Sequence, residues 1–364
     1  MRYLVMAMIA LVAFAGLQPV ASAVEEGQWF NLFDGESTYG WTAFGDVPWS
    51  VSDGVLTGTD GYSGWLASTC QFKDFELVAE VRASAGAAMG LIVRGGLEGH
   101  PSENGSGMFL VEGKRGDDWR EVRVVAVGND LQATIDGKKV DLSATRHRGH
   151  VGICYQRSHG QREAPVVAVK SVKLRPLGLD PLFNGKDLTG WNILPDHASK
   201  FNVVDGAINI TDGNGQIETA GTYRDFILQL DIISNGEHLN SGVFFRGPVG
   251  VFWRGYESQV RNQWEGDDRT QPVDYGTGGV YGLRPARKVV SSDGEWFSKT
   301  IVCDGNHYAV WINGYLVSDF YDMRPPTDNG DGKGAYVPQP GTIHLQGHDK
   351  TTDLSFKNIN IQEY

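Results

Sequence analysis

Two short stretches of this chain carry chemically capable side chains at every second position. In the run from Tyr256 to Asn262 the alternate residues are Glu257, Gln259 and Arg261. In the run from Ile343 to His348 they are His344, Gln346 and His348, with Ile343 and Leu345 in the opposite phase. A β-strand sends successive side chains to opposite faces, so each polar set is expected on one face and the aliphatic residues on the core face. A third run, Gly242 to Gly247, puts Arg246 in phase with Phe244 and Gly242. If these strands share one concave sheet, a carboxylate, an imidazole and a guanidinium converge. Together they offer a general base and a stabiliser of developing negative charge. Phe244, Trp253, Trp264 and Tyr281 add rings of the kind that stack on the C–H faces of a sugar while polar groups fix its hydroxyls.

The candidate catalytic residues are therefore Glu257, His344 and Arg246, and the candidate substrate contacts are Gln259, Arg261, Tyr281, Gln346 and Trp253. No cofactor is signalled firmly. His344, His348 and Asp349 form a loosely spaced candidate set for a divalent metal ion. The segment Asp328 to Asp331 has the composition of a calcium loop without its ligand spacing, and reads as a turn. Cys70, Cys154 and Cys303 lack metal-binding spacing and read as buried thiols, with a Cys70–Cys154 bridge as the alternative.

The elements that must position these residues occur twice. Leu32-Phe33-Asp34-Gly35 with Gly40-Trp41 recurs, at the same internal spacing, as Leu182-Phe183-Asn184-Gly185 with Gly190-Trp191. Lys73-Asp74-Phe75 pairs with Arg224-Asp225-Phe226, and the strand ending in Arg94-Gly95 with that ending in Arg246-Gly247. The run from Trp119 to Val140 aligns without a gap to Trp296 to Val317. Short apolar runs bounded by Asp-Gly and Asn-Gly turns, with no long amphipathic helix, predict many antiparallel strands in each copy. The expectation is an all-β chain of two tandem sandwiches, 24–177 and 178–364, with the junction near Leu177 to Pro181.

The copies are unequal. Gly152, Cys154 and Gln156 stand where the second copy has His344, Gln346 and His348, and the interval from Arg246 to Trp296 is about twice that from Arg94 to Trp119. The site is therefore expected in the second copy, the first serving as a structural or ancillary module.

Composition narrows the partners. The formal net charge is −12, which disfavours nucleic acid and anionic lipid. Arg2, the apolar run Tyr3 to Ala15 and Ala21-Ser22-Ala23 read as a signal peptide over 1–23, predicting an exported, periplasmic or extracellular protein. No later stretch has the length of a membrane-spanning helix.

The opening Leu182 to Trp191, the run Asn240 to Gly247, Tyr256-Glu257-Ser258-Gln259, Gly279 to Gly282 and Gly294-Glu295-Trp296 resemble the 3-keto-disaccharide hydrolase domain family. The resemblance covers the second copy and, more weakly, the first. It implies concanavalin A-like jelly rolls and action on, or binding of, carbohydrate. One departure is Asn262, where the family commonly has an aspartate. For a 3-keto-glycoside, one base and one charge stabiliser would suffice to expel the C1 substituent by elimination, with water added afterwards. A non-catalytic, lectin-like protein on the same fold is the alternative.

Overall fold

The computed structural model describes residues 26–84, 87–99, 101, 104–113, 118–157 and 165–364; the expected signal peptide lies outside them. The first copy is built from β1 (Phe30–Asn31), β2 (Trp41–Gly45), β3 (Trp49–Ser52), β4 (Val55–Gly58), β5 (Ser63–Phe72), β6 (Phe75–Ala83), β7 (Ala87–Gly95), β8 (Gly107–Glu112), β9 (Arg120–Val127), β10 (Asp130–Ile135), β11 (Lys138–Val140), β12 (Gly149–Arg157) and β13 (Val167–Pro176). The second comprises β14 (Asp180–Pro181), β15 (Trp191–Ile193), β16 (Lys200–Val204), β17 (Ala207–Thr211), β18 (Gly215–Thr219), β19 (Phe226–Ser234), β20 (Ser241–Gly247), β21 (Tyr256–Val260), β22 (Phe297–Asp304), β23 (His307–Ile312), β24 (Tyr315–Tyr321), β25 (Thr342–Gly347) and β26 (Asp353–Glu363).

Strand pairing is the same in both halves. The larger sheets run β11-β10-β9-β6-β13-β4-β3 and β24-β23-β22-β19-β26-β17-β16, with β1 and β14 added on β13 and β26. The smaller ones run β2-β5-β12-β7-β8 and β15-β18-β25-β20-β21. Each copy is a two-sheet antiparallel sandwich of the concanavalin A-like jelly-roll type, in tandem, as expected.

Strand phase explains how each core closes. In β19 the residues Phe226, Leu228, Leu230 and Ile232 point into the second copy's core. The opposite phase of β19, β22 and β23 supplies Ile227, Val302, Ala309 and Trp311, which belong to the core of the first copy. These strands are apolar on both faces because both are covered. Trp311 packs 4.7 Å from the Phe30 ring and its indole N–H donates to the Asn31 carbonyl at 2.8 Å. A polar rim surrounds this contact: Thr69 with Asp319 at 2.7 Å, Gln71 with Asp304 at 3.0 Å, Arg287 with Asp34 at 2.6 Å. Truncating a tryptophan buried this completely costs about 3–5 kcal/mol.

The three cysteines are free and buried. Cys70 lies in the main core and Cys154 in a separate cluster with Trp65 and Ile92, so the alternative bridge between them does not form.

Candidate active site on the smaller sheet of the second copy

The outward face of β18-β25-β20-β21 is a two-row grid. Register places Glu218 beside His344, His344 beside Phe244, and Phe244 beside Glu257. The next row runs from Gln216 to Gln346 on β25, then to Gly242 on β20, which faces Gln259. The alternation expected for Glu257 and Gln259, and for His344 and Gln346, is what the strands adopt. A glycine is required at 242, because a Cβ there would lie 2.7 Å from Glu257 Cγ. Its absence lets the Glu257 side chain lie across the sheet.

Beside this grid is a cavity of about 250 Å³ lined by Asn240, Trp253, Glu257, Gln259, Asp274, Tyr281 and His348. Glu257 is 3% exposed. Burial raises its carboxyl above the ordinary carboxylate value, and the Lys333 ammonium opposes this only in part. Lys333 Nζ lies 3.3 Å from Glu257 Oε2, 3.4 Å from the Trp253 ring centroid and 4.7 Å from that of Tyr281. Gln259 donates to Asp274 at 3.1 Å, as does Asn240 at 2.9 Å. Asn240 Oδ1 and Gln259 Oε1, both in the cavity wall, and Gln346 Oε1 behind it on the grid have no protein partner. Buried polar atoms are rarely left so, and acceptors grouped this way suit the hydroxyls of a sugar.

Arg246 is not part of this arrangement. A register irregularity between Phe244 and Gly247 and a left-handed φ of 54° at Arg246 break the alternation that would have placed it beside Phe244. Its guanidinium instead donates to the Arg224 and Val337 carbonyls and the Tyr308 hydroxyl, and pairs with Asp225 at 3.1 Å. Arg94 repeats this in the first copy: φ is 50°, with bonds to the Lys73 and Gly128 carbonyls and to Asp74. The shared arginine ties the sandwich together at a bulge.

Arg261 lies beyond the end of β21, bonded to Gln263 at 2.7 Å, with Asp274 at 4.0 Å. Tyr281 and Trp253 stand in the cavity wall, Trp253 half-exposed. His344 is fully covered. Its Nε2 meets Thr342 Oγ1 at 2.6 Å and Glu218 Oε2 at 3.5 Å, and burial pushes its pKa down to about 4. His348 reaches the cavity but turns Nδ1 to Asp349 at 3.0 Å. His348 lies just past the end of β25, its backbone about 13 Å along from that of His344, and the two rings engage Thr342 and Asp349 separately, so the candidate metal set His344, His348 and Asp349 does not converge. Among the described residues no three His, Cys, Asp or Glu side chains gather as a metal site. Asn262, at the family's aspartate position, is buried and bonded to Thr277, Ser291 and Asp293.

Four contributors are absent from the sequence-based set. Gln216 and Glu218 alternate along β18 and were legible by the rule that found Glu257. Lys333 comes from the β24–β25 connection. Lys299 is in the inward phase of β22, fully buried, and donates to Ser258 O, Ser258 Oγ and Gln259 O at 2.9, 3.1 and 2.9 Å. It braces β21 from beneath, and complete burial pushes its pKa down to about 7.

The first copy keeps the grid and changes its contents. Its rows read Ala67, Gly152, Ile92, Met108 and Trp65, Cys154, Gly90, Leu110. Trp65 stacks on Phe44 at 5.2 Å and lies over Gly152, where a Cβ would be 2.8 Å from the indole. The groove is filled by the protein's own rings. A wider cleft of about 710 Å³ at this copy's rim includes Gln71, Glu98, Asn104, Arg146 and His150, but Glu98 and Arg146 are exposed and His150 Nδ1 is engaged by the Ser68 carbonyl at 2.6 Å.

Paired jelly rolls, one bearing a polar and aromatic pocket, define a tandem β-sandwich protein with a single candidate site of this kind among the described residues. The chain belongs to the 3-keto-alpha-glucoside-1,2-lyase-like domain family, whose pattern matches residues 28–175 and 178–362. Among solved structures, two from Parabacteroides distasonis described as presumed glycosyl hydrolases are similar. One is 26% identical, covers 51% of this chain and 99% of its own, with a TM-score of 0.42. The other is 23% identical and covers 51% and 94%, with a TM-score of 0.41. The carbohydrate binding module CBM66 from Bacillus subtilis is 14% identical over 37% of this chain and 94% of its own, at a TM-score of 0.28. No curated protein gives a significant match. Among the described residues no helix is long and apolar enough to cross a membrane.

Proposed function

We propose that the chain is an exported carbohydrate-active protein whose second copy cleaves 3-keto-glycosides, with Glu257 as the base. The observation that carries this is the Glu257 carboxylate, buried in the pocket wall and raised by that burial towards the range in which a carboxylate is an effective base near neutrality. The 3-ketone acidifies the C2–H bond. Glu257 takes that proton and the C–H electron pair becomes the C2–C3 double bond of an enolate. Re-forming the ketone moves a pair into the C1–C2 bond and breaks the bond from C1 to the departing oxygen, which takes the proton from Glu257. Water then adds across C1–C2, giving the free 3-keto sugar. His344 is given no proton-transfer role in this reading, because it is fully covered, held by Thr342 Oγ1 at 2.6 Å and outside the cavity lining.

A lectin-like reading draws on the same unpaired amide oxygens and the half-exposed Trp253. A panel of 3-keto-glycosides, incubated with the wild type and Glu257→Gln, with and without chelator, separates the two. Product from the wild type and none from the variant is expected. Saturable binding without product would favour the lectin, and full turnover by Glu257→Gln would remove Glu257 from the mechanism.

A further inference from the structure

Elimination leaves negative charge on the C3 oxygen, and the cation beside the pocket, packed on its Trp253 and Tyr281 walls, is not the guanidinium that the sequence suggested. We propose that Lys333 is a catalytic residue of this site, its ammonium stabilising the C3 oxygen as Glu257 withdraws the neighbouring proton. This rests on the 3-keto-glycoside reading and assigns a group to the step which that reading leaves without one.

Four observations carry the assignment. The ammonium faces the base at 3.3 Å, so a substrate whose C2–H meets Glu257 brings the adjoining carbonyl oxygen within its reach. Beyond the ion pair, the buried Lys333 Nζ has no hydrogen-bond acceptor, so its remaining N–H donors are unsatisfied until an oxygen is brought against them. The backbone carrying it is fixed: Arg324 donates to the carbonyls of Gly332, Lys333 and Ala335 at 2.6, 2.6 and 3.1 Å. Arg324 is itself held by Asp322, which accepts from the Tyr256 hydroxyl at 2.8 Å. One network thus joins the residue before Glu257 to the loop bearing Lys333. Finally, the loop belongs to the active copy. The chain from β24 to β25 spans 322–341, whereas β11 to β12 in the first copy takes only 141–148. A donor set in place before the charge develops needs no reorganisation during the step.

The test uses the full-length chain with a methyl 3-keto-glucoside, reading C2 deuterium uptake and methanol release across pH for the wild type, Lys333→Met, Lys333→Gln and Lys333→Arg. Expected is a loss of about 100-fold in kcat for Lys333→Met and Lys333→Gln with KM little changed, and partial recovery in Lys333→Arg. The acid limb of the pH profile should also move to higher pH in Lys333→Met, because the cation that lowers the Glu257 pKa is gone. A lysine that only pairs with Glu257 would move that limb as well, so the loss of plateau kcat and its recovery in Lys333→Arg carry the assignment. Turnover at the pH optimum by folded Lys333→Met or Lys333→Gln within about threefold of wild type overturns the assignment, whether or not the limb moves, and leaves the elimination reading standing. A wild type that neither exchanges nor releases methanol overturns both, and is recognised because the unmutated chain is silent.

Discussion

The buried ammonium of Lys299 lies 2.9 Å from the carbonyl oxygen of Gln259, so the strand that presents Gln259 and Glu257 to the pocket rests on a charge inside the sandwich. The aligned position in the first copy is Val122, equally buried. A charged group in a dry interior is costly, and here three acceptors match its three N–H donors.

Lys299 should leave a signature in stability. Its folded pKa, about 7, lies below the unfolded value of about 10.4. Between these limits the unfolded chain binds the extra proton, so this group makes stability rise with pH from about 7 to 10, while at lower pH its full cost is present. Urea unfolding of the wild type and Lys299→Met at pH 7 and pH 9.5 reads the effect as a difference. The wild type should gain on the variant at the higher pH; parallel curves would contradict the assignment.

His344 acts in the acid range. Its folded pKa of about 4 is below the unfolded value of about 6.5. As pH falls from about 6.5 to 4, the unfolded state takes up a proton that the folded state refuses, and stability drops at up to about 1.4 kcal/mol per pH unit. Replacing His344 by Gln should flatten that part of the profile relative to wild type. Thermal unfolding at pH 7, 5.5 and 4.5 measures it.

Trp253 and Trp65 should behave oppositely when truncated. Trp253→Ala removes a pocket wall and should weaken binding of the sugar by about tenfold at little cost in stability. Trp65→Ala opens a cavity in the first copy and should cost about 3 kcal/mol, leaving sugar affinity as it was. Calorimetric titration and denaturation of both variants give the contrast. Equal losses of affinity would mean that the first copy also binds.

Strand phase made much of this site legible in advance. Glu257, Gln259 and Gln346 project where a period of two puts them, and the tandem motifs mark two equivalent sandwiches. The same rule applied to β18 would have added Gln216 and Glu218. It failed at Arg246 because alternation holds only while pairing is regular, and a left-handed residue in a bulge leaves no mark in composition. Lys299 was missed because a lysine in a strand reads as solvent-facing; only its phase with Phe297, Ile301 and Cys303 tells otherwise. Lys333 enters from a long connection whose path no local pattern fixes.

Under the proposed carbohydrate reading, the Trp65 stack over Gly152 bears on how the protein would engage long glycans. A chain with two working sandwiches would gain avidity, its second binding event occurring at an effective concentration set by the geometry between copies. If the second copy alone binds sugar, as proposed, the chain is monovalent, and its release from a polymer would be as fast as one small pocket allows.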